Sequence, residues 1–320
     1  MAMNDAASIF VLGSFVAACS AKVAHLPRPG ESLRAEAFTL EAGGKGLNLA
    51  MGARRLGASV DGLLAVGNDL LAQLAEPALL RAGLPLSMLR RYDGATGSGI
   101  GFTDAKGENC LAVYPGANLR LSAADVRAAR HALGRAKLVL AQFEVGDEPI
   151  AEAFALARAG GAATLLNPSP YRAVDANILA HTSILVVNRV EAEQMATTFG
   201  ASEAGDTKPT GADSLAAFGT HLLDCGPEAV SITLGADGAL LCRRNAAPLH
   251  QPAFAVETVD TLGAGDAFSA GIAVSLIEDR SWDECLRRAA ACGALATRRL
   301  GVFEALPMRE ELEQFLKSSF

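Results

Sequence analysis

The sequence predicts an α/β fold: a doubly wound, mostly parallel central sheet with helices on both faces, plus a small β-sheet lid. Three observations predict it. Short apolar runs of strand length alternate with longer helical stretches along the chain. Several of the short runs are apolar on both faces, as in a buried parallel sheet. Two stretches, 15–42 and 86–115, break the alternation with strand-like pieces set among Gly, Pro and charged residues.

The elements follow in order. Strands are expected at 9–13, 60–66, 137–142, 163–166, 184–187 and 229–234. Helices are expected near 46–57, 69–82, 123–134, 147–160, 189–199, 211–225, 264–279 and 282–299. Ser122-Ala-Ala-Asp125 reads as a helix-opening box. The order β then α, repeated, builds a sheet covered on both sides. The stretches 15–42 and 86–115 are too long for plain loops. Their pieces at 100–103 and 110–114 point to a small sheet over one end of the large one; ordinary surface loops are the other reading. Residues 201–211 read as a polar surface loop. Together this is a single domain, 1–320, with lid segments about 15–42 and 86–115 inserted.

Composition narrows the partners. Half of the 320 residues are hydrophobic, but only 5% are aromatic, so the core must pack small and aliphatic side chains. The net charge of -7, with no basic run, argues against nucleic acid and anionic membrane. Cysteines stand at 19, 110, 225, 242, 285 and 292 without CxxC spacing, so neither a disulfide framework nor a zinc site is expected. No signal h-region and no membrane span of about 20 apolar residues is visible, which reads as a soluble cytoplasmic protein.

The strongest chemical signal is Asp260-Thr-Leu-Gly-Ala-Gly-Asp-Ala-Phe268, between an extended segment at 254–259 and a helical run. Gly263 and Gly265 let a ligand approach the backbone. The first amides of the following helix have no internal partners and, with the helix dipole, favour an anion. Asp266 in that first turn is out of place beside an anion unless it has a task, such as taking a proton. A Gly-rich turn with a favourable first-turn acid is the plain alternative. Gly43-Gly-Lys-Gly-Leu-Asn48 opens another helix, where Asn48 can donate and accept and Lys45 is a point charge. Glu144 ends a strand-like run, where ligands collect in open α/β sheets; a solvated loop acid is the alternative.

DTLGAGDAF resembles the C-terminal signature of the ribokinase-like (PfkB) sugar and nucleoside kinases. GGKGLN, the N-x-x-E of Asn188-Arg-Val-Glu191, and Ile232-Thr-Leu-Gly-Ala-Asp-Gly238 are similar to three further family motifs, in the family's order. The resemblance runs from about residue 8 to 307. It implies a ribokinase-like kinase that moves the γ-phosphate of ATP, with Mg²⁺, to a hydroxyl, expected to be a primary one, of a sugar or sugar-like substrate. Catalysis would fall to Asp266 as base, with Gly263, Ala264 and Gly265 at the phosphate. Gly44, Lys45, Asn48, Glu144 and Asp266 would hold the substrate. Asn188, Glu191, Thr233, Gly235 and Gly265 would serve the nucleotide, Glu191 reaching Mg²⁺ through water. A helix cap plus a first-turn acid remains the other reading of Asn188 and Glu191. Family members often hold K⁺, and the matching positions are Asp260, Leu262, Ala296, Arg299 and Gly301, with Ala305 where ribokinase has a Ser. The family's lid often doubles as a dimer interface, so a homodimer is expected.

One departure bears on the acceptor. Ribokinases grip sugar hydroxyls with an Asn and an Asp just after the first strand; Val16 and Ala18 stand at those positions. Either the substrate is less hydroxylated at that end, or Ser14, Ser20 or a lid residue compensates. A nucleoside kinase, with Phe15, Val16 and Ala18 helping to form a base slot, is the alternative acceptor class. A non-catalytic nucleotide- or sugar-binding regulator is the alternative outside enzymes.

Overall fold

The computed structural model describes residues 9–105, 109–199 and 211–318. The expected loop at 201–210 and residues 106–108 of the second lid segment lie outside the described residues. In chain order the elements begin β1 (Ile9–Ser14), β2 (Val16–Lys22), β3 (Ala37–Gly43), α1 (Lys45–Arg55), β4 (Val60–Val66), α2 (Ala75–Ala82), β5 (Leu89–Arg91), β6 (Ser98–Thr103) and β7 (Asn109–Tyr114). They continue with α3 (Ala123–Ala128), α4 (Arg130–Leu133), β8 (Leu138–Gln142), α5 (Asp147–Ala159), β9 (Ala163–Asn167), α6 (Ala176–Ala180), β10 (Ile184–Asn188) and α7 (Arg189–Thr198). The last are α8 (Ala212–Leu222), β11 (Ala229–Thr233), β12 (Ala239–Arg243), β13 (Leu249–Gln251), α9 (Ala264–Ile277), α10 (Trp282–Ala296) and α11 (Arg309–Ser318).

The large sheet runs β13-β12-β11-β10-β9-β8-β1-β4-β5. It is parallel from β5 to β11, and β12 and β13 close it antiparallel. Strand alternation divides its side chains between two cores. Ile9 and Val11 of β1 pack on one face with α1, α9 and α10, while Phe10 and Leu12 pack on the other with α5 and α8. Both faces are covered, which is why these strands read as unbroken apolar runs. The Ser122–Asp125 capping box forms as expected.

The small sheet has the order β3-β2-β6-β7. Its first strand leaves β1 after a single residue, Phe15, whose N–H donates to Asn118 Oδ1 (3.0 Å) and whose carbonyl accepts from Asn118 Nδ2 (2.8 Å). Asn118 is fully buried, so this side chain ties the root of the lid to the body.

Several expectations need correction. The second lid segment begins later than residue 86, because β5 pairs with β4 in the large sheet. The helix expected at 69–82 starts with a 3-10 turn, Leu70–Leu74, and the one at 123–134 breaks at Ala129. The strands β5, β12 and β13 and the helices α6 and α11 were not anticipated.

Candidate active site

The carboxyl ends of the parallel strands converge below the lid. Ser14 ends β1, Glu144 lies just past β8, and Asn188 and Thr233 end β10 and β11 as register partners. Open α/β sheets gather ligands at such ends.

Two helices aim their amino ends into this region, and both begin on a glycine at positive φ, where a Cβ would strain the backbone. Gly44 (φ 99°) is the N-cap of α1 and Gly263 (φ 79°) that of α9. Neither offers a capping side chain. In α1 the cap is supplied from elsewhere: Lys45 N donates to Glu144 Oε2 (3.0 Å) and Gly46 N to Ser14 Oγ (3.1 Å). Ser14 Oγ also donates to Glu144 Oε2 (2.5 Å) and accepts from Gln142 Nε2 (3.0 Å). Gly46 serves packing, since a Cβ there would lie 2.1 Å from Ser14 N.

In α9 the first amides meet no such side chain. Ala264 N donates to Thr261 O; the amides of Gly265 and Asp266 have no carbonyl four residues back within the helix. A Cβ on Gly265 would meet no atom within 4 Å, so open space lies over that turn. Asp266 is 5% exposed. Its Oδ2 accepts from Asn48 Nδ2 (2.8 Å) and its Oδ1 lies 3.7 Å from Lys45 Nζ. The motifs at 43–48 and 260–268, far apart in sequence, therefore meet side chain to side chain.

Lys45 is the cation of this cluster. Burial pushes its ammonium down, but the charges of Asp266, Glu144 and Glu191 outweigh burial and hold it above the ordinary lysine value. Glu191 thus acts on the same space. Asn188 and Glu191 form a reciprocal capping box at the start of α7: Glu191 N donates to Asn188 Oδ1 (2.8 Å) and Asn188 N to Glu191 Oε2 (2.9 Å). Gly235 sits at φ 64° with open space beside it.

Three of the expected cation positions, Asp260, Leu262 and Gly301, are also brought together. Asp260 accepts from Leu262 N and from Gly301 N, both at 3.0 Å, joining the turn before α9 to the turn after α10. Arg299 turns its guanidinium to Glu311, so only its backbone is left for such a site. Among the described residues no group of three or more His, Cys, Asp or Glu can hold a metal on its own.

Two hollows, of about 570 Å³ beside Asp69 and Arg91 and about 530 Å³ beside Val256 and Phe315, exclude Asp266. The site is defined by its converging groups. Sequence reasoning did not find Gln142, whose only signal is a polar residue ending an apolar strand, or Asn118 and Arg172, which carry no local signal. Phe15, which the alternative nucleoside reading placed in a base slot, is fully buried in the core.

Residues 6–309 match the pfkB family carbohydrate kinase profile. The chain is 30% identical over 312 residues to the ribokinase of Haemophilus influenzae, covering 97% of this chain and 98% of that one. It is 30% identical over 311 residues to the deoxyribokinase of Salmonella typhi, covering 96% and 98%. The ribokinase of Arabidopsis thaliana, solved in complex with ribose and ATP, superposes with a TM-score of 0.86 at 25% identity, covering 98% of this chain and 99% of that one. No helix among the described residues is long and apolar enough to cross a membrane.

Proposed function

Since the chain belongs to the pfkB carbohydrate kinase family, we propose that it transfers the γ-phosphate of ATP to a primary hydroxyl of a sugar or sugar-like alcohol. One observation carries the reading: Asp266 stands in the first turn of α9, bonded to Asn48 and beside Lys45, next to a glycine whose missing side chain leaves empty space.

The chemistry follows from those groups. The acceptor oxygen attacks the γ-phosphorus as its proton passes to Asp266, and the bond to the β-phosphate oxygen breaks to release ADP. The amides of Gly265 and Asp266, with Gly263 and Ala264 shaping the turn, receive the phosphate oxygens. Lys45 and Asn48 orient the base and, with Gly44 and Glu144, the acceptor. Thr233 and Gly235 adjoin the nucleotide, and Asn188 fixes Glu191. Three carboxylates against one lysine leave the cleft negative, so a divalent cation is needed beside a polyphosphate. Mg²⁺ fits a site without a protein cage, because it keeps waters and phosphate ligands; Glu191 would hold it through water, and it would supply charge neutralisation. For K⁺, the carbonyls of Leu262, Ala296, Arg299 and Gly301 are the proposed ligands around Asp260.

The lid refines the acceptor. Val16 and Ala18 carry no polar side-chain atom, and Ser14 Oγ is already engaged by Glu144, Gln142 and Gly46. A hydroxyl left unpaired there costs about 1–3 kcal/mol. With Ser14 engaged, the compensation would fall to Ser20, in the same lid row as Val16 and Ala18; without it the acceptor is less hydroxylated at the lid end than D-ribose. Phe15, locked in the core, cannot shape a base slot, which favours a sugar over a nucleoside.

Register separates the two faces of the lid. Glu41 turns toward Gly301 on the body, so Phe38, Leu40, Cys19, Ala21, Ile100 and Phe102, from the alternate rows, lie on the other face. Phe38 and Ile100 are 66% and 56% exposed there, and this apolar face is the proposed homodimer surface. Ile100→Asp should shift a dimer to monomer in analytical ultracentrifugation.

The test of function is ADP release with ATP, Mg²⁺ and a panel of D-ribose, 2-deoxy-D-ribose and nucleosides. Acceptor-dependent ADP release is expected with a sugar. Melting shifts without turnover would mark a binding protein, and turnover of D-ribose at micromolar KM would overturn the acceptor reading.

A further inference from the structure

We propose that Arg172 is a positioning residue for Glu144, acting on it through the backbone on either side. Arg172 lies in the loop between β9 and α6. Its guanidinium donates from one terminal nitrogen to the carbonyl of Phe143 (2.5 Å) and from the other to the carbonyl of Val145 (2.8 Å). These are the two residues that flank Glu144. It also donates from Nε and a terminal nitrogen to Asp147 Oδ1 (3.1 and 2.5 Å), the first residue of α5. The same guanidinium stacks on the Phe143 ring, 4.0 Å from its centroid. Phe143 N donates to Ser169 O (3.1 Å), so the loop carrying Arg172 is tied to the strand end as well.

This geometry fixes the peptide unit that enters Glu144 and the one that leaves Val145, so the backbone is held on both sides of the residue. Glu144 needs such fixing because its Oε2 has two tasks at set distances, accepting from Ser14 Oγ and from the first amide of α1. The turn 143–146 has no strand partner of its own; apart from the amides of Phe143 and Glu144, which donate to Ser169 O and Gln142 Oε1, its hold on the body is Arg172, the one group that engages its carbonyls among the described residues. A planar fork can reach two carbonyls and a carboxylate at once; a lysine, as a point charge, cannot. Arg172 is half-buried at the surface, where an ion pair with Asp147 adds little to stability. Its contribution lies in placement. The kinetic part of the inference rests on the proposed role of Glu144 at the acceptor.

Arg172→Lys in the full chain tests it with two independent readouts. In a crystal structure of the variant, the Glu144 bonds to Ser14 Oγ and Lys45 N are expected to be lost. If both persist, the proposal fails, whatever the enzyme phosphorylates. With whichever acceptor of the panel wild type turns over fastest, acceptor KM is expected to rise about tenfold, the effect of losing a charge-assisted hydrogen bond. ATP KM should stay within about twofold, and in a Glu144→Gln background Arg172→Lys should add less than about twofold. An equal rise in both KM values, full additivity, or a variant that does not fold would show a general structural role and overturn the proposal. Wild type inactive on every acceptor would count against the kinase reading alone, leaving the crystallographic result to decide Arg172.

Discussion

Replacing Asp266 by Asn removes one charge from the first turn of α9 and leaves its shape almost unchanged. The amide oxygen can still accept from Asn48 Nδ2, now at 2.8 Å. What is lost is the attraction to Lys45, whose Nζ lies 3.7 Å from Oδ1, and the favourable placement of an acid at a helix start, worth about 0.3–1 kcal/mol. The dipole part alone moves Tm by about 2–4 °C or less in a chain this large, and the loss of the Lys45 pair adds to it. α9 itself is held by residues buried along most of its length. Nucleotide binding should survive, because a negative charge is removed beside the proposed phosphate. The acceptor, however, loses its base. kcat should fall by about 10²–10⁴, or about 3–5 kcal/mol of barrier. The assay pairs coupled ADP release at saturating acceptor with calorimetric titration of ADP and a melting curve. Near-normal kcat would refute the role of Asp266. A fall in kcat together with lost ADP binding would instead place Asp266 among the groups that hold the nucleotide.

Gly265→Ala should fold at least as well as wild type, since its Cβ meets no protein atom and helix propensity favours Ala by about 0.5–1 kcal/mol; ATP KM should nonetheless rise about tenfold by crowding of the phosphate. Gly46→Ala is the contrasting case: its Cβ would lie 2.1 Å from Ser14 N, so stability should drop by more than about 3 kcal/mol in chemical denaturation. Burial pushes the Cys285 thiol up to about 11 and Cys292 up to about 12, so a thiol reagent at neutral pH should label exposed Cys110 and spare both until denaturant is added. Burial alone would raise Asp69, but bonds from Thr96 Oγ1, Thr96 N and Ala72 N outweigh it and hold the carboxyl below its ordinary 3.8. Its stabilisation is complete above that value and lost as pH falls through the lower folded one, so the Tm gap between wild type and Asp69→Asn should close on acidification.

How much of this was legible in the sequence depended on how local the cause was. The strand at 60–66 and its parallel neighbours declare themselves through apolar runs, because both of their faces are covered. Glycine motifs declare the two helix starts. β12 and β13 did not, since β12 folds back on β11 through a turn at 235–238 that the motif reading had assigned to the nucleotide, and β13 pairs only with β12. Asn188 and Glu191 show the limit most clearly. Their spacing suits both a capping box and a phosphate site, and the structure forms the capping box while Glu191 still contributes to the field on Lys45. Arg172 was invisible because its partners are backbone carbonyls 27 and 29 positions away, and no side-chain pattern records them.

The two glycine-capped helices explain why a phosphate would choose one and not the other. Both α1 and α9 point a positive dipole end at the same cleft, and neither has a capping side chain of its own. At α1 the first amides are spent on Ser14 and Glu144, and the Glu144 carboxylate already places a negative charge on the helix end. An arriving anion would find the first two amides taken and a like charge in its path. At α9 the acid of the first turn is Asp266, drawn aside by Asn48 and Lys45, while a Cβ on Gly265 would meet open space. On this reading Glu144 both takes the acceptor and, by neutralising the wrong helix, directs the nucleotide to the right one. Glu144→Gln should therefore weaken the acceptor strongly but also blur the preference for α9. It would appear as a rise in ATP inhibition competitive with the acceptor, and a purely acceptor-side defect would refute this second role.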